Sequence, residues 1–233
     1  MEGEETLPQP LTEIIEIYWQ RLEQREGFSG SELSDKISSD QSFRSELVRV
    51  WAASEYVAQA TLQSPELLLE IHGSRQKSLA ESYPERLREQ LQHLLPLDYK
   101  SGLDQLKQLL RLAHRKEYVR VIWRDVCGYA DVHETCRHLS RLAEVALQES
   151  LTILYQWAMR EWGVPERNGK PQQMAVIGMG KLGARELNAS SDIDLIFAFT
   201  ETGETSGGQA GTDSITNQQF FIRLGQRLID VID

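Results

Sequence analysis

The sequence predicts an α+β protein that is mostly α-helical, in which a long helical domain precedes a partial α/β core. Three observations lead to this fold class. Apolar residues recur at three- and four-residue spacing over most of residues 11–162, a pattern typical of amphipathic helices. Glycine and proline become frequent over residues 163–171, which indicates turns. Two short apolar runs within residues 174–200 then have the length and composition of strands.

The predicted domains follow from these changes in pattern. Residues 1–10 contain two prolines and several acidic residues and are expected to form a flexible tail. Residues 11–165 are predicted to form the helical domain. Residues 172–233 are predicted to form the α/β core, which is incomplete at its C-terminal end.

Composition limits the function classes. The chain has 233 residues, and 25 Lys and Arg against 35 Asp and Glu give a net charge of −10. This acidic balance argues against a protein that coats nucleic acid. No apolar run approaches the ~20 residues of a membrane span, and the acidic N-terminus lacks the apolar segment of a secretory signal. Two cysteines do not make a disulfide framework, so a cytoplasmic protein without membrane or nucleic-acid partners is expected.

Six helices are predicted in the helical domain, and turn or capping residues separate them. Residues 27–31 contain two glycines and are a predicted break. Ser64 precedes a proline, as is typical of a helix start, and Asp131 is a second predicted N-cap. The predicted helices cover residues 11–22, 42–62, 67–71, 85–95, 103–126 and 132–162.

The C-terminal part is predicted to alternate between strands and helices. A short buried strand ends in the turn Gly178–Gly180, and a helix of about two turns connects it to a second strand. A glycine-rich loop, which is expected to be mobile, and a final amphipathic helix follow. In order, these elements cover residues 174–177, 182–188, 193–200, 202–213 and 215–232.

Two carboxylates at the start of the second strand are the main candidates for chemistry. Side chains alternate along a strand, so Asp192 and Asp194 are expected to point to the same side. Magnesium (Mg2+) prefers oxygen ligands and keeps water and phosphate in its shell. Gly178 and Gly180 allow backbone N–H groups to approach a diphosphate or triphosphate. This pattern favours a nucleotidyltransferase site that uses metal-assisted phosphoryl transfer.

Other interpretations of this segment are weaker. The spacing Gly178-x-Gly180-x-x-Gly183 also matches the fingerprint of NAD-binding Rossmann domains. The acidic residue of that fold follows the second strand, whereas Asp192 precedes it, and too few residues remain for a doubly wound sheet. A P-loop is excluded, since Leu182 stands where a serine or threonine is required. A solvated strand end with capping side chains is the remaining alternative.

The segment GMGKLGARELNASSDIDLIF, residues 178–197, resembles the signature of bifunctional glutamine synthetase adenylyltransferase/adenylyl-removing enzymes. These enzymes belong to the polymerase-β-like nucleotidyltransferase superfamily. Residues 115–144 are also similar to the helical region of that family. The resemblance implies a polymerase-β-like core that removes AMP from a tyrosine of glutamine synthetase by phosphorolysis, which yields ADP. The resemblance also implies a C-terminal unit, expected to lie outside these 233 residues, that would add AMP from ATP, and the two activities together would regulate nitrogen assimilation.

The resemblance also implies roles for individual residues. Asp192 and Asp194 would be catalytic ligands of Mg2+. The superfamily has a third carboxylate on a later strand, which would lie beyond Asp233. Family members are several times longer, so the sequence is expected to be an N-terminal fragment that is inactive alone. The residues implied to lie beside the nucleotide phosphates are Gly178, Gly180, Lys181 and Ser191.

The implied partners are adenylylated glutamine synthetase, the nucleotides ADP and ATP, inorganic phosphate and a PII-type regulatory protein. A non-catalytic alternative also remains open. In that alternative the helices form a docking module for glutamine synthetase or for a regulatory protein.

Two further clusters have less specific interpretations. Five basic residues on one helix are expected to form a solvated face, or an electropositive strip for a phosphate. A group of cysteines and histidines has no standard zinc spacing, so an ordinary helix surface is the preferred interpretation. The basic residues are Lys107, Arg111, Arg115, Arg120 and Arg124, and the second group is Cys127, His133, Cys136 and His138.

Overall fold

The computed structural model describes residues 8–208 and 213–232. Within them the protein is mainly helical, with two small antiparallel sheets, which confirms the α+β class at this level. The helices are α1 (Gln9–Glu23), α2 (Glu32–Ser39), α3 (Gln41–Ala53), α4 (Glu55–Gln63), α5 (Glu66–Ser74), α6 (Tyr83–Leu91), α7 (Tyr99–Val126), α8 (Val132–Trp162), α9 (Gly180–Ala184) and α10 (Asn217–Ile232). The strands are β1 (Pro165–Arg167), β2 (Lys170–Pro171), β3 (Met174–Gly178), β4 (Leu195–Phe199) and β5 (Glu204–Thr205).

By packing, the chain divides into two compact units. The first contains the described residues up to Ser78 together with Arg115–Thr135, and the second contains Leu79–His114 together with the described residues from Cys136 onwards. Helices α7 and α8 therefore each contribute to both units. The domain boundaries predicted at residues 165 and 172 stay a prediction, since a division by packing does not test them.

The core of the first unit is built around large aromatic side chains. Trp51 and Phe43 are buried, and Phe43 stacks on Trp123 with ring centroids 5.3 Å apart. Tyr18 of α1 packs edge-on against Trp51 at 5.8 Å. Burial of such rings removes the largest apolar areas in this part of the chain from water. The apolar stripe predicted on α1 therefore has its partners on α3.

A buried carboxylate forms the centre of a polar cluster in the same unit. Glu46 is 7% exposed and accepts hydrogen bonds from Trp123 Nε1 at 2.9 Å and from the Tyr129 hydroxyl at 2.7 Å. Arg75 Nε lies 3.1 Å from the same carboxylate, and Arg75 Nη2 lies 2.8 Å from Asp40. Hydrogen bonds from the Phe43 backbone N–H and from Arg75 lower the pKa of Asp40, while burial opposes the shift.

The helix boundaries agree with the sequence where caps and periodicity coincide. Helix α8 begins and ends where predicted, and the Glu134 N–H donates to the Asp131 side chain at 2.8 Å, which confirms that N-cap. Residues 42–62 are helical as predicted except at Ser54, and the prediction of one continuous helix is wrong. Ser54 has extended backbone angles and caps α4 by accepting from the Val57 N–H at 3.3 Å. Helix α2 was not predicted; Ser31 precedes it as the N-cap, and the Ser31 side chain accepts from the Ser34 N–H.

The second unit contains a close contact between its helices. Trp157 of α8 is buried, and its Nε1 donates to the Leu94 carbonyl at 3.1 Å. A Cβ on Gly102 of α7 would lie 2.5 Å from a carbon of the Trp157 ring. Glycine is therefore required at that position of α7, although it lowers helix propensity.

A three-stranded antiparallel sheet follows α8, with the strand order β2-β1-β5. Strands β1 and β2 form a hairpin through Asn168 and Gly169, which both have positive φ angles, 51° and 72°. Two such residues are typical of a type I′ turn. Strand β5 lies within the predicted loop 202–213, so that segment is not wholly a loop. Residues 209–212 of that prediction lie outside the described residues.

Strands β3 and β4 form the second sheet and are antiparallel, with Met174 opposite Phe199 and Gly178 opposite Leu195. A Rossmann domain requires parallel neighbours linked by a crossover helix. The NAD-binding interpretation is therefore wrong for this segment. Helix α10 packs on the sheet, where Phe221 stacks on Phe199 at 4.9 Å. The predicted final helix, over 215–232, begins two residues later than expected, at Asn217.

Candidate functional site

The turn between β3 and α9 is the first part of the candidate site. Steric contacts explain why this turn contains glycines. A Cβ on Gly178 would lie 2.8 Å from Leu182 Cγ, and one on Gly183 would lie 2.6 Å from the Gly178 carbonyl oxygen. Gly180 has a left-handed φ of 52°, and the space around it is open. Two of the three glycines therefore allow α9 to pack against the end of β3, and Gly180 allows the chain to turn. Helix α9 covers only 180–184 of the region, so the predicted helix over 182–188 is wrong after Ala184.

Replacing Gly183 by alanine is expected to destabilise the protein by about 1–3 kcal/mol. The obstacle is a backbone carbonyl, which cannot rotate away as a flexible side chain would. The matched control is Gly73→Ala in α5, where a Cβ meets nothing within 4 Å. That control is expected to stabilise, because alanine has the higher helix propensity. Urea denaturation measures both, and equal effects would contradict the steric explanation.

The two carboxylates lie immediately before β4. The strand predicted over 193–200 is shorter in the structure, where β4 begins at Leu195 and ends at Phe199. The Met179 N–H donates to the Asp194 carbonyl at 2.9 Å and so ties the start of β4 to the β3–α9 turn. Asp192 and Asp194 are exposed, whereas Ile193 between them is half-buried. This alternation is what an extended backbone produces.

The loop before Asp192 is ordered by its own polar groups. Asn188 Oδ1 accepts from the Ser191 hydroxyl at 2.7 Å and from the Ser190 N–H at 3.2 Å. The Asn188 N–H in turn donates to the Ser191 oxygen at 3.1 Å. The Ser191 hydroxyl therefore shapes the loop. Lys181, on α9, is exposed to solvent.

Helix α8 anchors this loop, and the sequence analysis missed the anchoring residues. Arg185 ends α9 with a left-handed φ of 59°, and its Nε lies 2.9 Å from Glu144. The Leu187 N–H donates to Ser140 Oγ at 3.2 Å. Ser140 and Glu144 are one turn apart on α8, which is the only sequence signal that they share a face.

A groove of about 1050 Å³ lies between α8 and the segment β3–α9. Its lining includes Gln148 and Tyr155 of α8, Ala175 of β3, and Arg185. Of the predicted site residues, Gly178 lines this groove. The predicted residues that do not line it are Gly180, Lys181, Ser191, Asp192 and Asp194.

The donor set around the two carboxylates fits a divalent cation in part. The side-chain carboxylates of Asp192 and Asp194 form no hydrogen bond or ion pair with the described residues, so both keep their side-chain oxygens available. Two carboxylates suit Mg2+, which is often bound by one or two protein carboxylates together with waters and phosphate oxygens. Over residues 8–208 and 213–232, no group of three or more His, Cys, Asp or Glu is placed to hold a metal ion. Further ligands would therefore come from the substrate or from other residues.

The predicted basic strip on α7 is buried at two of its five positions, whereas Arg111 is exposed. Arg120 and Arg124 are only 2% and 4% exposed. Arg124 donates to the Tyr129 carbonyl at 2.9 Å and to Glu134 at 2.8 Å. Both interpretations of the strip, as a solvated face or as an electropositive surface, are therefore wrong for these two arginines.

The thiol of Cys127, in the predicted cysteine and histidine cluster, is half-buried. Burial, and next the charge of Glu46, raise the pKa of Cys127 to about 12. A thiol binds metal as the thiolate, so Cys127 is a poor ligand at neutral pH.

In the described part of the chain, no helix is both long and apolar enough to cross a membrane.

Comparison with known proteins gives one consistent family. The family model for glutamate–ammonia ligase adenylyltransferases matches residues 44–233. The chain is 45% identical to the bifunctional glutamine synthetase adenylyltransferase/adenylyl-removing enzyme of Nitrosococcus oceani over 192 residues. The aligned residues make up 80% of the chain and 19% of that protein. The protein with the same name from Shewanella loihica is 35% identical over 233 residues, which cover 99% of the chain and 23% of that protein. The chain thus spans about one fifth of the length of these relatives.

Proposed function

The chain belongs to the glutamate–ammonia ligase adenylyltransferase family, and from this premise we propose that it carries the adenylyl-removing site of a bifunctional enzyme acting on glutamine synthetase. The observation that carries the proposal is the pair of exposed carboxylates, Asp192 and Asp194, which lie beside the β3–α9 turn and have no side-chain partner among the described residues. Because the curated relatives are about five times longer, the activity is proposed for the native full-length protein.

The proposed reaction is a phosphorolysis. An oxygen of inorganic phosphate attacks the phosphorus of the AMP group on an adenylylated tyrosine. The bond between that phosphorus and the tyrosine oxygen breaks, and the tyrosine oxygen takes up a proton. The products are ADP and the unmodified tyrosine. Adenylylation of the tyrosine from ATP, a separate reaction that releases diphosphate, is assigned to another part of the full-length protein.

Residues of this chain would act mainly by positioning and by charge. Asp192 and Asp194 would hold Mg2+, which supplies positive charge that stabilises the phosphoryl oxygens when it is bound. The hydrogen bond from the Met179 N–H to the Asp194 carbonyl fixes the backbone of Asp194 relative to the turn. Gly180 leaves the turn open to a phosphate group, and the exposed Lys181 adds a positive charge.

The order within the preceding loop supports the same proposal. The bonds between Asn188 and Ser191 fix the residue directly before Asp192. The contacts of Arg185 with Glu144 and of Leu187 with Ser140 tie the loop to α8. Such support reduces the reorganisation that a charged substrate requires. Gly178 and Ser191 thus act on the shape of the site.

The partners follow from the proposal. Adenylylated glutamine synthetase, phosphate, ADP and ATP are expected to bind to the full-length protein, which would act in the cytoplasm. A PII-type regulatory partner stays a prediction, and no surface of the described residues is assigned to it.

A nucleotide-release assay tests the proposal. The full-length protein is incubated with Mg2+ and with glutamine synthetase that carries radiolabelled AMP on its tyrosine. Labelled ADP is expected to appear only when inorganic phosphate is present. Release of AMP instead would indicate hydrolysis and contradict phosphorolysis. Tight binding of glutamine synthetase without any release of nucleotide would favour the alternative in which the helices form a docking module.

A further inference from the structure

The sheet formed by β3 and β4 has two unequal faces. On one face, Phe199 stacks on Phe221 of α10 at 4.9 Å, and Phe197 lies 3.5 Å from the position of a Cβ on Gly225. In an antiparallel pair, directly opposite residues share a face. Val176, opposite Phe197, therefore belongs to the covered face. Helix α10 thus accounts for the burial of this face.

The opposite face carries an exposed aliphatic pair. Ile177 and Ile196 are directly opposite each other in the register, and they are 47% and 48% exposed. Ala175 and Ala198 are the next opposite pair on the same face. Met179, just beyond the end of β3, is 43% exposed. The two isoleucine side chains that meet on this open face therefore form a small exposed apolar patch.

This patch adjoins the candidate carboxylates on the same face. Ile196 follows Asp194 by two residues, so the two side chains point to the same side, about 7 Å apart along the strand. The hydrogen bond from Met179 to the Asp194 carbonyl continues the ladder between the two strands to this point. Burial follows the same alternation along the chain. Asp192, Asp194 and Ile196 are exposed, whereas Ile193 and Leu195 between them are half-buried.

We infer that Ile177 and Ile196 form the floor on which the aromatic ring of the adenylylated tyrosine lies, an inference that rests on the proposed function. In that substrate the ring is joined through a single oxygen to the phosphorus that reacts beside Asp192 and Asp194. The ring therefore reaches a surface directly next to the carboxylates. The adenine base is separated from the same phosphorus by the ribose.

The chemistry of the floor favours the phenol ring over adenine. The patch consists of aliphatic side chains, and its nearest neighbours on this face are small, Ala175 and Ala198. A tyrosine ring whose oxygen is esterified presents only apolar faces and edges, and it gains from burial against isoleucine. Adenine has a hydrogen-bonding edge, and leaving it unpaired against an apolar floor costs free energy.

Substitution of the two isoleucines by threonine tests this inference. Ile177→Thr and Ile196→Thr keep the β-branched shape that suits a strand while they remove apolar surface. The variants are made in the full-length protein. Two probes, a short peptide that contains adenylyl-tyrosine and AMP itself, are titrated calorimetrically with Mg2+ and without phosphate. Each variant is expected to bind the peptide about fivefold more weakly and to bind AMP as the wild-type protein does. The KM for adenylylated glutamine synthetase should rise more than kcat falls.

The matched control is Ile229→Thr on α10, which removes an isoleucine of similar exposure, 45%. It is expected to change neither affinity. If affinity for AMP falls as much as affinity for the peptide, the floor binds the base and the inference is overturned. If neither affinity changes, while the midpoint of thermal unfolding falls, the rest of the polypeptide covers this face. A wild-type protein that releases no ADP overturns the proposed function, whereas normal ADP release and unchanged peptide binding in both variants overturn only this inference.

Discussion

Replacing Asp192 and Asp194 together by asparagine is expected to lower the phosphate-dependent release of ADP by at least about a thousandfold in the full-length protein. Asparagine keeps the shape of aspartate but removes the negative charge that a divalent cation requires. Both carboxylates are exposed and unpaired among the described residues, so nothing else in this part of the chain depends on their charge. The measurement is the initial rate of ADP release over a titration with Mg2+.

The control for this variant is Asp104→Asn, which removes one exposed carboxylate from α7. Its rate is expected to equal that of the wild-type protein. The double variant should keep the wild-type midpoint of thermal unfolding, because it breaks no contact within the fold. Wild-type rates in the double variant would disprove the assignment of the two carboxylates to the site, even if the protein removes AMP.

Replacing Glu46 by alanine is expected to reduce the free energy of unfolding by about 3 kcal/mol. Glu46 accepts hydrogen bonds from Trp123 and Tyr129, and it pairs with Arg75. Its removal leaves the Arg75 guanidinium largely buried, with Asp40 as its remaining carboxylate partner, and leaves the Trp123 N–H without an acceptor. Buried groups that lose their partners are costly, since water does not replace them.

Two further variants separate the causes of that loss. Glu46→Gln keeps an acceptor oxygen but loses the charge, so it is expected to lie between wild type and Glu46→Ala. Glu16→Ala removes an exposed glutamate from α1 and should change stability by less than about 0.5 kcal/mol. Urea denaturation, followed by circular dichroism, measures all three. A Glu46→Ala variant as stable as Glu16→Ala would show that the cluster adds little to stability.

The sequence predicted those elements whose determinants are local. Helix α8 combines a long apolar periodicity with the Asp131 cap, and its bounds were predicted to the residue. The break at Ser54 has no such signal, since the same apolar periodicity continues from α3 into α4. Its serine side chain caps the second helix only in the folded structure. Strand β5 pairs with β1 from far along the chain, so its neighbourhood in the sequence resembles a loop.

The candidate site shows the same division. The alternation around Asp192 and Asp194 is a local property of extended backbone, and the sequence displays it directly. Ser140 and Glu144 support the loop from α8, and they precede their partners by 47 and 41 residues, so no local pattern indicates these contacts. Arg120 is buried, whereas arginine is usually exposed. Tertiary packing determines this burial, and the sequence of a single helix does not reveal tertiary packing.

The pairing of β1 with β5 has a consequence for how this segment tolerates change in length. Pro165 lies opposite Thr205, so the pairing of β1 with β5 brings the two ends of this segment together. Elements β3, α9 and β4 lie within the loop that this pairing closes. The entropy of closing such a loop grows only slowly with length, by about 0.6 kcal/mol for each doubling. Insertions between β4 and β5 would therefore cost little in loop closure, and they would leave the pairing of β1 with β5 in place.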